Sequence, residues 1–161
     1  MVSTDILKKH PFFKSFSDEE LKELAAIATE ESYKEGFQLW KRGEPAKNLY
    51  LLEGGRIVLV MHTYMGTTMP PVELPVDMIT GGDAMGWSAV IEPYIYTLGA
   101  RCVADSQAIV FEGTKLRELL NSDPSLGFKF MQATVKLIAT RLVHTESILV
   151  GERGLSVLGE G

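Results

Sequence analysis

The chain has 161 residues, 45% of them hydrophobic, enough for one well-buried core and too few for two ordinary domains. Its 21 acidic and 16 basic residues give a formal charge of −5, and no run of Lys or Arg exceeds two neighbours, which argues against binding a nucleic-acid duplex by phosphate neutralisation. The single cysteine, Cys102, cannot form an internal disulfide, the opening MVSTDILKKHPFF is too polar for a secretory signal, and no apolar stretch nears the roughly 20 residues of a membrane span, so a cytoplasmic protein without its own membrane contact is expected.

A short helix is predicted around residues 5–9. Ser17 then reads as the N-cap of a better one, with Glu20 three residues on completing a capping box, and Leu21, Leu24, Ala25 and Ala28 share its apolar face. From Glu30 the period changes. Gly36, Gly43, Gly54-Gly55, Gly66, Gly81-Gly82 and Gly86 punctuate short apolar runs: FQLW (37–40), NLYLLE (48–53), RIVLVMH (56–62), a weaker VELPVDMI, TLGARCVA and QAIVFE. Many short strands at this spacing predict a mainly β fold with flanking helices, an antiparallel β-roll or jelly roll.

After Gly113 the helical period returns. TKLRELL is a short amphipathic segment, and Asp123-Pro124 opens a long helix predicted over 123–150, with Asp as N-cap and Pro at its first position. Along it Phe128, Met131, Val135, Ile138, Leu142, Thr145 and Leu149 recur at spacings of three and four, a heptad seam. Leu126, Phe130, Leu137 and Ile148 form a second stripe on an adjacent face. One stripe can cover the roll while the other meets a partner; the alternative is that both bury against the domain. A homodimer through Phe128, Met131, Val135, Ile138, Leu142 and Leu149 is the expectation, with residues 1–150 as the domain and the glycine-rich 151–161 as a disordered tail.

The usual catalytic constellations are absent from the sequence. His10, His62 and His144 fall on different elements with no clustered ligands at metal-binding spacing, so no metal is expected. Cys102, flanked by Arg101 and Val103 in a strand, reads as a small buried hydrophobe. There is no nucleophile elbow and no Walker-type phosphate loop, and the acidic DEELKEL sits on a solvated helix face. An enzyme is not expected. Met61, Met65, Met69, Met78 and Met85 gather near the later strands and the 64–71 loop, which reads either as an adaptable lid or as an ordinary hairpin tip.

Two segments carry a more specific signal: RGEPAKNLYLLEGGRIVLV, and ITGGDAMGWSAV followed by ARCVADSQAIVFE. With the order of elements over about residues 5–150, they resemble the cyclic-nucleotide-binding domain family, which includes the regulatory domain of the catabolite activator protein and the regulatory subunit of protein kinase A. The resemblance implies that Gly54 and Gly55 form a tight hairpin needing positive φ. It also implies that Gly86, Trp87, Ser88, Ala89 and Val90 form the one-turn helix of a phosphate-binding cassette, whose free N–H groups face an anion.

In that family a Glu follows the cassette glycine and holds the ribose, and an Arg ahead of the next strand pairs with the phosphate. This sequence has Trp87 at the first position and Ile95 or Tyr96 at the second. Each charge-assisted hydrogen bond is worth roughly 1.5–3 kcal/mol, so losing both costs several powers of ten in affinity. The resemblance leaves Gly86, Trp87, Ser88, Ala89, Tyr96 and Thr97 as ligand-binding candidates. Arg101 joins them if its face of the strand, shared with Thr97 and Gly99, is the pocket side; otherwise it pairs with a carboxylate. Trp87, Tyr94 and Tyr96 either pack as core or stack on a purine.

The expected protein is a stand-alone, non-catalytic ligand-sensing module for cyclic AMP, cyclic GMP or another small anion, signalling to a separately encoded effector. The DNA-binding helix-turn-helix of transcriptional relatives does not follow the long helix. The alternative is a ligand-free dimeric interaction protein whose pocket is plugged by Trp87 and Ile95.

Overall fold

A computed structural model describes residues 2–64 and 66–159; Met1, Met65 and the last two tail residues lie outside it. Two four-stranded antiparallel sheets face each other, one in the order β1(Ala28–Tyr33), β8(Ser106–Glu112), β3(Asn48–Gly54), β6(Ala84–Met85) and the other β2(Gln38–Trp40), β7(Gly99–Cys102), β4(Arg56–Thr63), β5(Val72–Thr80). Helices α1(Thr4–Lys9) and α2(Asp18–Ile27) precede the roll, and α3(Gly113–Ser122) and α4(Pro124–Gly159) follow it. This is the predicted mainly β architecture with flanking helices.

Most elements arise where the local chemistry placed them. The Ser17 hydroxyl accepts from the Glu20 N–H at 3.2 Å while the Glu20 carboxylate accepts from the Ser17 N–H at 2.9 Å, closing the capping box. Leu21, Leu24 and Ala25 point into the core. At the start of α4 the Asp123 carboxylate accepts from the Leu126 N–H at 3.2 Å, ahead of Pro124. Strand β1, ATEESY, was not singled out by the sequence: it pairs only with β8 and exposes four of its six residues, so it shows no apolar alternation.

Two local expectations are corrected. Gly55 does adopt a positive φ of 94°, but Gly54-Gly55 is not a paired hairpin: β3 belongs to one sheet and β4 to the other, and the turn carries the chain between them. Its tightness comes from the Asp105–Ser106 backbone, which a Cβ on Gly55 would strike. Helix α4 continues to Gly159 rather than ending near Val150, so residues 151–159, read from their glycines as a disordered tail, are helical. No proline interrupts that stretch to force an end.

The first half of α4 is tied to the domain by its second apolar stripe. Leu126 and Phe130 are fully buried and Leu137 packs against the core. Phe130 meets Phe12 edge-on at 5.0 Å between ring centroids and Phe16 at 6.3 Å, while Phe13 reaches Phe111 of β8 at 6.1 Å. Lys129 closes the contact with an ion pair to Glu20 at 3.0 Å. This aromatic knot fixes where α4 crosses the roll. Phe130→Ala is therefore expected to lower stability by about 3–5 kcal/mol, read as a shifted urea midpoint with an unchanged m-value.

Candidate functional site: a cavity between the cassette turn and the long helix

The segment after β6 bends as its glycine dictates. Gly86 holds φ 79°, and a Cβ there would come within 2.8 Å of the Asn48 carbonyl oxygen. A single 3₁₀ turn follows at Trp87–Ala89, closed by Ala89 N–H to Gly86 and Val90 N–H to Trp87 carbonyls at 3.0 and 3.1 Å. The N–H groups of Trp87 and Ser88 have no protein acceptor among the described residues. From α3, Arg117 donates to the Ala89 carbonyl at 2.7 Å and lies 4.2 Å above the Tyr94 ring, pinning the far end of the turn.

Beside this turn is a cavity of about 230 Å³. Gly86, Trp87 and Ser88 form one wall, Trp40, Tyr96 and Thr97 another, and Ile138, Arg141, Leu142 and Thr145 of α4 roof it. Five of the seven sequence candidates thus come together: Gly86, Trp87, Ser88, Tyr96 and Thr97. Ala89 is fully buried behind the turn and does not reach the cavity.

Arg101 does not reach it either. In β7 its neighbour Ala100 pairs with Leu59, which lines the cavity, so Arg101 faces the other side of the sheet and donates to Glu73 of β5. The shared face with Thr97 fails because the strand begins only at Gly99, and alternation does not extend back to Thr97. His62 lies 3.8 Å from the same Glu73.

Of the plug foreseen at Trp87 and Ile95, the Ile95 half is corrected, while Trp87 does line the cavity. Ile95 is 43% exposed and lines an outer groove, and Trp87 is half-buried. Tyr96 fills the interior instead, stacked on Trp40 at 4.2 Å and 14°, and Trp40 stacks in turn on Tyr50 at 5.3 Å. The Tyr96 hydroxyl donates to the Asn48 carbonyl at 2.6 Å and accepts from the Asn48 N–H at 3.1 Å, and Trp40 donates to the Leu98 carbonyl at 2.7 Å. Burial pushes the Tyr96 phenol well above its ordinary pKa, so it stays neutral.

Sequence reasoning missed the charged group of the cavity. Asp77 of β5, its side chain only 9% exposed, receives a hydrogen bond from Arg141 at 2.7 Å and lies 3.1 Å from the His144 ring. Arg141 also donates to the Ala84 carbonyl at 3.4 Å. Burial opposes ionisation of Asp77, yet the Arg141 bond, the Met78 N–H and His144 outweigh it and hold its pKa below the usual carboxylate range. No local motif marks this cluster, because Asp77 lies more than sixty residues from Arg141 and His144. Among the described residues, no group of three metal-ligating side chains occurs, and no helix is long and apolar enough to cross a membrane.

A two-sheet roll with a glycine-led cassette turn and a long helix roofing the cavity defines the class. The cyclic nucleotide-binding domain profile matches residues 30–123, and the chain belongs to that family. It is 30% identical to a candidate cyclic nucleotide-binding protein from Geobacter metallireducens GS-15, with a TM-score of 0.77 over 88% of this chain and 99% of that one. A cyclic nucleotide-binding domain from Methylobacillus flagellatus KT shares the fold at 19% identity, with a TM-score of 0.77 over 92% of this chain and 81% of that one. Glutaminase 1 of Bradyrhizobium diazoefficiens is 28% identical over 142 residues, which are 87% of this chain and 21% of that protein. The chain thus spans about a fifth of the length of this curated relative.

The depressed pKa of Asp77 fixes a sign. Its contribution to stability is complete above the unfolded-state value of roughly 3.9 and is lost as pH falls through the lower folded value. Asp77→Asn is expected to cost about 1–3 kcal/mol at pH 7 and to flatten the acid limb of a stability-versus-pH curve measured by urea titration.

Proposed function

We propose that this chain is a non-catalytic regulatory module that senses a small ligand in the cavity between the cassette turn and α4. The observation that carries this reading is the roof: Ile138, Arg141, Leu142 and Thr145 belong to the helix that leaves the domain, so an occupant would touch the element able to report it. Ligand would shift the balance between arrangements of α4 by as much as it prefers one of them. Gly86, Trp87, Ser88, Tyr96 and Thr97 are the proposed contacts, with Ala89 supporting the turn. Arg101 is left out because Glu73 already engages it.

The ligand is a cyclic nucleotide bound weakly, or another small anion. By the resemblance, two of the family's charged contacts are replaced, by Trp87 and by Ile95 or Tyr96, and a nucleotide would have to displace the Trp40–Tyr96 stack or sit outside it. The activity named for the Bradyrhizobium relative is not proposed for this chain, which spans about a fifth of that protein. Calorimetric titration with cyclic AMP, cyclic GMP and a panel of small anionic metabolites tests the reading: a saturable signal from any of them supports it, and silence across the panel overturns it.

The stacked Trp40, Tyr96 and Tyr50 favour one second reading, a ligand-free interaction protein whose interior is filled by its own side chains. Both readings include a homodimer along α4, signalling in the first case to a separately encoded effector. Phe128, Val135, Leu142 and Leu149 of the heptad seam are 49–66% exposed, and Val143, Ile148 and Val150 add to the uncovered apolar surface. Met131 and Ile138 are half-buried. Val135→Glu is expected to convert a dimer into a monomer in sedimentation velocity without changing the circular dichroism spectrum; a wild-type monomer at tens of micromolar would contradict the seam.

A further inference from the structure

Three polar features of the cavity remain unused by the fold. The Ser88 side chain is nine-tenths buried, and its hydroxyl has no protein partner among the described residues. The Trp87 and Ser88 N–H groups are likewise free. Arg141 is the one cation among the described lining residues, and only two of its N–H donors are engaged, by Asp77 and Ala84. Asp77, the ion-pair partner of Arg141, and the hydroxyls of Thr97 and Thr145 also line it, and the remaining wall is mostly apolar or aromatic, including Leu59, Met85, Leu98 and Ile138.

We infer that Arg141 is the anion-recognition residue of this cavity and that the ligand class is a compact carboxylate with an apolar or aromatic body. The inference rests on the sensing role proposed above and adds to it the ligand chemistry and the residue that selects it. Tyr96 stands near the cassette with its hydroxyl already committed to Asn48, so it offers the ligand no charge. A guanidinium fork matches a carboxylate in two parallel bonds, and Ser88 with the turn's N–H groups supplies donors across the space. Asp77 keeps the guanidinium in place before any ligand arrives, so little side-chain freedom is lost on binding. The volume also selects. About 230 Å³ falls below the roughly 300–1,000 Å³ of sites for drug-sized molecules, and it suits a ligand smaller than a nucleotide with a largely apolar body.

Phenylacetate and its neutral counterpart phenylacetamide, titrated calorimetrically into the full chain, provide the test, with Arg101→Gln as the control arginine. Wild type is expected to bind phenylacetate at least about tenfold more tightly than phenylacetamide, the fold-change of a charge-assisted hydrogen bond. Arg141→Gln should erase that preference while keeping the amide's affinity, Arg141→Lys should keep part of it, and Arg101→Gln should leave it unchanged, with thermal unfolding followed for each. A preference that survives in Arg141→Gln, or disappears in Arg101→Gln, overturns the assignment. If cyclic AMP binds saturably to wild type while phenylacetate is not preferred over phenylacetamide, this inference fails and the sensing role stands; if no probe or panel compound binds, both fail.

Discussion

The rest of the site depends on how Tyr96 is held. Its ring lies flat on Trp40 inside the roll, and its hydroxyl makes hydrogen bonds with both backbone groups of Asn48, a donor and an acceptor on the strand opposite. An aromatic pair of this kind adds about 0.5–1.5 kcal/mol beyond its buried area, and two satisfied hydrogen bonds to a buried phenol make any other placement costly. The return from cassette to β7 is therefore fixed by packing. At the two positions where the resemblance places a phosphate-pairing arginine, Ile95 or Tyr96, this chain has no arginine, and Tyr96 is a neutral ring committed to the backbone of Asn48.

The one cation among the described lining residues lies in the roof of the cavity. The turn at Gly86 keeps its shape and its free N–H groups, since these follow from a backbone conformation that glycine permits. The guanidinium that lines the same cavity comes from α4 and is balanced by Asp77 of β5. One ion pair thus joins a strand of the roll to the helix that extends away from it. The 36 residues of α4 span about 54 Å at 1.5 Å per residue, so a small rotation at Arg141 becomes a larger displacement at its far end.

The sequence made the architecture readable because the signals were local. Ser17 with Glu20, Asp123 with Pro124, and the glycines between apolar runs each specify a backbone geometry within a few residues. Gly86 announced the cassette turn in the same way. The polar edge strand β1 was not legible, because it is held by its pairing with β8 and lacks a buried face of its own. Within the site, the residues on the cassette side were identifiable, while Trp40, Asp77 and Arg141 were not: each reaches the cavity through pairings between distant segments, and nothing in its neighbours marks it. Arg101 and Ile95 show the converse error. Both lie in the expected stretch of chain, yet strand alternation turns Arg101 to the other face of the sheet and the loop leaves Ile95 at the surface.

The most direct measurement is a crystal structure of the protein soaked or grown with cyclic AMP at millimolar concentration. The occupant is expected between the cassette turn and α4, against Trp87 and Ser88 and beneath Arg141. A nucleotide bound elsewhere on the roll, with this cavity still empty, would contradict the central claim.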